Sequence, residues 1–239
     1  MARALGSILL LAMFALTAQS IVADAHQTDR AINELAGPVK SVRFEVLEFD
    51  TYTGKLDTER MPKLEDWYDR AGNLVEEKYH TPDFIEDKHP QQIDSQTYLL
   101  KSNMGDKRRH RVFDPSGKLI EETIYISNGG TWQLLDWTRF KYDVHGRRIE
   151  VDDIRDGKVD GLTLMRRNTR GNVVQLEFHY NGNHAPFPCT WYGDYKFDRY
   201  GNWTTRRVYE FDPEGGKPKR IFSGVDYQII QYQGDSKSG

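Results

Sequence analysis

One short motif returns along this chain: Asp or Asn, two further residues, then Gly, with an aromatic residue before most copies. It stands as Asp69 to Gly72, Asp114 to Gly117, Asp143 to Gly146, Asn168 to Gly171, Asp198 to Gly201 and Asp212 to Gly215, with a looser copy from Asp50 to Gly54. Asp or Asn at the first position of a type I turn accepts hydrogen bonds from backbone N–H groups just ahead of it. Pro at the second position fixes φ, and Gly at the fourth adopts φ > 0. A type I turn closed by such a Gly is a common β-hairpin connection and carries a bulge. Each copy is therefore expected at a hairpin tip.

The flanks agree. LVEEKY, LIEETIYI and VVQLEFHY follow the glycines of three copies and are rich in β-branched and aromatic residues. The hairpin register sets Tyr68 against Leu74, Phe113 against Leu119, Tyr142 against Arg148 and Phe197 against Trp203. One step further from the second turn, Arg111 is expected to face Glu121. Other turn signals, Asn103 to Gly105, Ser127 to Gly130, Asp156-Gly157 and Asn181 to Asn183, alternate with the motif and should close the opposite hairpin ends. The expected fold is all-β: an antiparallel meander of about 13 strands, forming a curled or folded-over extended sheet.

Residues 1–25 read as a signal peptide, with Arg3, a short apolar run from Ile8 to Leu16, and Ala23-Asp24-Ala25 as a small-x-small cleavage site. The run is shorter than the ~18 residues of a membrane span, so no stable membrane anchor is expected. Residues 26–36 form a lead-in segment with a short helix, 37–232 a single β domain, and 233–239 a flexible tail. Within the domain, residues 81–95 read as a Pro-containing loop. The location that follows is periplasmic or secreted.

Lys and Arg number 33 against 36 acids, a net charge of −3, which removes the bulk electrostatic argument for nucleic acid. The single Cys189 cannot form an intramolecular disulfide and reads as a buried, inert thiol. Catalytic motifs with GxSxG, HExxH or P-loop spacing do not occur. Glu76-Glu77, Glu121-Glu122 and Asp152-Asp153 are adjacent on strands, so each pair splits between two faces and cannot make a carboxylate dyad. His179 and His184 flank a turn without a third ligand nearby. Neither a catalytic residue, a cofactor nor a metal is expected.

Aromatics outside the paired face are the candidate ligand-binding residues: Trp67, Trp132, Trp137, Trp191 and Tyr192. Trp and Tyr beside Asn and Asp suit sugar rings, which stack on aromatic faces and take directional hydrogen bonds.

The motif resembles that of the YD-repeat (RHS-repeat) family, with RFKYDVHGRR at 139–148 the nearest copy and YKFDRYGNW at 195–203 close to it. GPVKSVRF at 37–44 and GNWTTRRVYEFD from Gly201 are similar to segments of small exported bacterial members. The resemblance implies a non-enzymatic binding or structural module at the cell envelope, with a glycan or an envelope protein as partner. Two alternatives are a docking partner of a toxin or envelope complex and a polysaccharide hydrolase. No oligomeric state follows from the residues.

Overall fold

The structure, a computed structural model, describes residues 26–50, 52–180, 187–212 and 219–235. The expected leader, the turns at 181–183 and 213–215, and His184 lie outside the described residues. A short helix α1 (Asp29–Ile32) leads into β1 (Val39–Asp50), β2 (Lys55–Leu56), β3 (Met61–Tyr68), β4 (Leu74–His80) and β5 (Ile85–Gln92). Then follow β6 (Thr97–Ser102), β7 (Lys107–Phe113), β8 (Leu119–Asn128), β9 (Thr131–Tyr142) and β10 (Arg148–Arg155). The chain ends with β11 (Lys158–Arg167), β12 (Val173–Tyr180), β13 (Phe187–Phe197), β14 (Trp203–Asp212) and β15 (Lys219–Tyr232).

β1 pairs with β3, from β3 onward each strand pairs antiparallel with the next, and β15 returns to β1 over nine residue pairs, from Val39↔Tyr232 to Glu48↔Gly224. The two-residue β2 is a flap on the end of β1, so fourteen of the fifteen strands form the ring. The expected curled or folded-over sheet of about 13 strands is thus corrected to a closed 14-stranded β-barrel. One strand was hidden: 85–92, expected as a loop, is β5. Its ladder to β4 stops at Glu77↔Lys88, so Pro90 lies beyond it, where β4 asks nothing of the missing N–H. Closure also depends on Gly224, where an added Cβ would sit 2.5 Å from the Leu47 carbonyl oxygen.

The turns follow the expected chemistry. Asp69, Asp114, Asp143, Asn168 and Asp198 each accept backbone N–H bonds from two residues within their own turns. Gly72, Gly117, Gly146, Gly171 and Gly201 have φ between 77° and 97°. Backbone N–H bonds, first that of Arg147, hold the Asp143 carboxyl down at about 2. The looser copy turns β1 into β2, with Gly54 N–H donating to the Asp50 carbonyl.

The opposed pairs Tyr68↔Leu74, Phe113↔Leu119, Tyr142↔Arg148 and Phe197↔Trp203 form as expected, and Arg167↔Val173 is the matching pair of the Asn168 hairpin. In each hairpin the register then slips by one residue, at Val75, Ile120, Ile149, Val174 and Thr204. These bulges increase local twist and bend the sheet. They also correct one expectation: Arg111 faces Glu122, and Glu121 faces Val112.

Residues 26–36 cross the mouth of the barrel at the motif end. Gln27 N–H donates to Gly117 O, Arg30 N–H to Gly72 O, and Ala36 N–H to Asn202 Oδ1. Asp29 takes the Leu74 N–H at 2.7 Å and pairs with Arg111, itself bonded to Glu122 at 2.7 Å. Arg111 on β7 and Asn202 just before β14 stand half a ring apart, so the segment spans the opening. The side of the sheet facing it is the lumen. Val39, Val42, Tyr68, Leu74 and Tyr232 form the buried apolar cluster beside it.

Breaking a buried ion pair from one side leaves an uncompensated charge. Asp29→Ala should therefore destabilise the barrel by about 3 kcal/mol in urea unfolding. Arg139→Ala, which removes an exposed pair with Glu121, should cost less than about 1 kcal/mol. Equal losses would contradict the anchoring role of Asp29.

Candidate functional site

Both faces of the barrel wall carry charge, in different settings. On the lumen side Lys88 pairs with Glu77 and Glu86, Lys107 with Glu86, Arg111 with Glu122, and Arg206 with Asp226. The Arg111 and Arg206 side chains are only 7% and 16% exposed. On the outer face Arg139 pairs with Glu121, Lys141 with Glu150 and Asp152, and Arg166 with Glu177, and the Arg139 and Arg166 side chains are 45% and 68% exposed. Burial pushes the Glu122 carboxyl up, but Arg109 and Arg111 overcome that and hold it below its usual range.

Beneath the N-terminal segment the lumen holds a cavity of about 380 Å³. Val42, Phe44, Leu64, Met165, Val173, Leu176 and Trp203 form its apolar wall, and Asn33, Asp66, Arg148, Arg167, Arg206 and Gln228 its polar part. The hairpin motif supplies much of this wall. The second residue after Gly in three hairpins is Arg148, Val173 or Trp203, and each points into the cavity.

Most of the polar groups are engaged. Arg167 donates to both carboxylate oxygens of Glu34, at 3.0 and 2.6 Å, and to the carbonyls of Arg148 and Gly171. Arg206 bonds Asp226 at 2.8 Å and lies over the rings of Tyr192 and Trp203, at 3.6 and 4.3 Å. Three buried atoms of the wall have no hydrogen-bond partner among the described residues: Asp66 Oδ1, Arg148 Nε and Gln228 Oε1. Buried polar atoms are almost always paired, so each of these three calls for a water, an ion or a ligand as its partner.

Asp66 is the most unusual of them. It is 3% exposed, and its other oxygen takes hydrogen bonds from the Tyr68 hydroxyl at 3.0 Å and from Asn33 at 3.3 Å. Burial, then the nearby Glu77 carboxylate, push its carboxyl up to about 7.

The structure separates the five candidate aromatics. Tyr192 lies on the cavity wall. Trp67, Trp132, Trp137 and Trp191 lie on the outer face, and each indole has a cation over it: Lys78, Arg108, Arg139 and Arg220 at 4.5 to 5.0 Å. No two of these four meet in one groove among the cavities found in the described residues. Trp203, Phe44 and Asp66 were not singled out from the sequence. Trp203 carried a signal as the partner of Phe197, whereas Asp66 had none beyond its place two residues before Tyr68.

Cys189 is buried at 8% exposure. His179 stands 4.0 Å from Glu177 on β12. Among the described residues, no three His, Cys, Asp or Glu side chains gather as a metal site would require.

No family model matches the chain, and no curated protein matches it. Among solved structures, a porin-like protein from Bacteroides uniformis superposes with a TM-score of 0.49 at 10% identity, over 82% of this chain and 99% of its own. So slight a likeness carries no conclusion about what this chain does.

The Asp66 shift sets a pH dependence. A carboxyl whose folded pKa lies above its unfolded value binds more protons when folded, so stability falls as pH rises from about 4 to 7. The size is about 4 kcal/mol, flat above pH 7. Asp66→Asn removes this dependence. It should raise stability relative to the parent at pH 8 and give no such gain at pH 4, measured by urea unfolding at both pH values. An equal gain at both would contradict the buried-carboxyl account.

Proposed function

We propose that this chain is an exported, water-soluble barrel of the cell envelope that binds a small amphipathic molecule in its lumen, without catalysis. The observation that carries this reading is the cavity itself: its wall joins apolar side chains to polar ones and holds three buried polar atoms with no partner among the described residues. Its volume of about 380 Å³ lies in the range of small-ligand sites, ~300–1,000 Å³.

Three further points support it. The signal-peptide pattern of residues 1–25 favours export. Arg139, Lys141, Asp152, Arg166 and Glu177 face outward along β9 to β12. A charged side chain facing lipid at the bilayer midplane costs about 2–4 kcal/mol, so this outer face suits water better than hydrocarbon. The four outer indoles stand apart, no two lining one cavity among those found in the described residues, which favours the lumen as the ligand site.

The same features weigh against the alternatives. Among the described residues the closed ring leaves only the two-residue β2 as a sheet edge, too short for strand addition by a protein partner. A hydrolase needs two working carboxylates, and of the cavity's two, Glu34 is engaged by Arg167 at both oxygens. Kinship with YD-repeat proteins belongs to this proposal too, resting on the turn motif and its flanks.

The test is a fluorescence titration of residues 26–239 with N-phenyl-1-naphthylamine, a small apolar probe that brightens out of water. The parent should bind it with saturation. Leu176→Trp, which fills the cavity, should lose binding while keeping its β circular-dichroism spectrum, and Trp191→Phe on the outer face should bind as the parent does. Binding that survives Leu176→Trp but not Trp191→Phe would overturn the lumen as the site.

A further inference from the structure

Which molecule the lumen takes depends on the valences its wall leaves open. Arg167 is paired with Glu34 and Arg206 with Asp226, and Arg148 adds its charge to those offsetting Glu122. The arginines therefore offer an incoming anion little beyond one Arg148 Nε–H. The open acceptors are Asp66 Oδ1 and the Gln228 amide. Asp66 is not ion-paired with any cation among the described residues, although it is 97% shielded from solvent.

The apolar wall runs beside these acceptors. Phe44 on β1 stands between Leu64 on β3 and Gln228 on β15. Val42 occupies the next inward position and faces Asp66. Phe44 also meets Trp203 edge to face, with centroids 6.2 Å apart. A ligand with one donor-bearing end and one apolar end would lie with its head at Asp66 and its body along Leu64, Phe44 and Trp203.

We propose that the lumen binds a small amphipathic amine, its ammonium group donating to Asp66 Oδ1 and its hydrocarbon body covering Phe44, Leu64 and Trp203. This rests on the reading of the lumen as the ligand site and names the class of ligand. An ammonium ion supplies the buried carboxylate with the countercharge it lacks, and charge-assisted hydrogen bonds are the strong ones. A carboxylate head would face Asp66 and Glu77 and be repelled.

A pH signature follows. The groups acting on Asp66 are Tyr68 on its own strand, Glu77 on β4, Arg109 on β7 and Asp29 on α1. Burial first, then Glu77 and Asp29, outweigh the opposing Tyr68 and Arg109 and raise its carboxyl to about 7, so binding a cation must expel a proton at lower pH.

The experiment displaces bound N-phenyl-1-naphthylamine from residues 26–239 with octylamine, octanol and octanoate. At pH 8 octylamine should displace the probe at a concentration at least tenfold lower than octanol, with octanoate the weakest. Lowering the pH to 6 should weaken octylamine about tenfold and leave octanol unchanged, a readout on the parent protein that needs no variant. In Asp66→Asn, octylamine and octanol should displace the probe at similar concentrations. Octanoate displacing as well as octylamine, or an amine preference indifferent to pH, would overturn the proposal and leave the lumen reading standing. Absence of probe binding by the parent would overturn both.

Discussion

Backbone hydrogen bonds between β1 and β15 are the constraint on which the rest depends. A meander of long strands exposes two unpaired edges, and each edge is a template for unwanted pairing. Joining Val39–Asp50 to Lys219–Tyr232 removes both at once and turns one face of the sheet into an enclosed lumen. Charges that would be ordinary on an open sheet then become buried. Glu122, Arg111, Arg206 and Asp226 persist there because each has an opposite partner within hydrogen-bond reach.

The N-terminal segment follows from the same geometry. A ring of fourteen strands leaves a wide mouth. Residues 26–36 fill it largely through polar contacts, Asp29 on Arg111, the Ile32 carbonyl on Arg148, Glu34 on Arg167 and Ala36 on Asn202, with Ile32 and Leu35 adding apolar ones. This polar lid forms the roof of the cavity through Ile32, Asn33, Glu34 and Leu35. Fold and candidate site therefore share one set of contacts.

The local half of this architecture was legible in the residues. Asp, two residues and Gly specify a turn and a bulge, and Tyr68 with Leu74 or Phe197 with Trp203 meet because the turn sets the register. Closure was not legible, because Val39 and Tyr232 lie at opposite ends of the domain and no turn connects their strands. β5 was hidden for another reason. IEDKHPQQ carries charge on both faces, which reads as a loop until the charged lumen, where Lys88 meets Glu77, explains it. The site was half visible: of the aromatics singled out for ligand binding only Tyr192 reaches the cavity, while Trp203 stood out solely as a hairpin partner. Asp66 becomes notable only when the ring buries it.

The closure itself can be tested with a disulfide. Arg43 and Ile229 are directly opposed across the β1–β15 seam, and such pairs have Cα atoms about 4.5–5.5 Å apart, within disulfide reach. In a Cys189→Ser background, the double variant Arg43→Cys, Ile229→Cys should oxidise to a monomer with an internal 43–229 disulfide, detected by non-reducing electrophoresis and peptide mass mapping. Thiols that stay free, or that pair only between molecules, would show that the ring does not close and would remove the lumen on which the account rests.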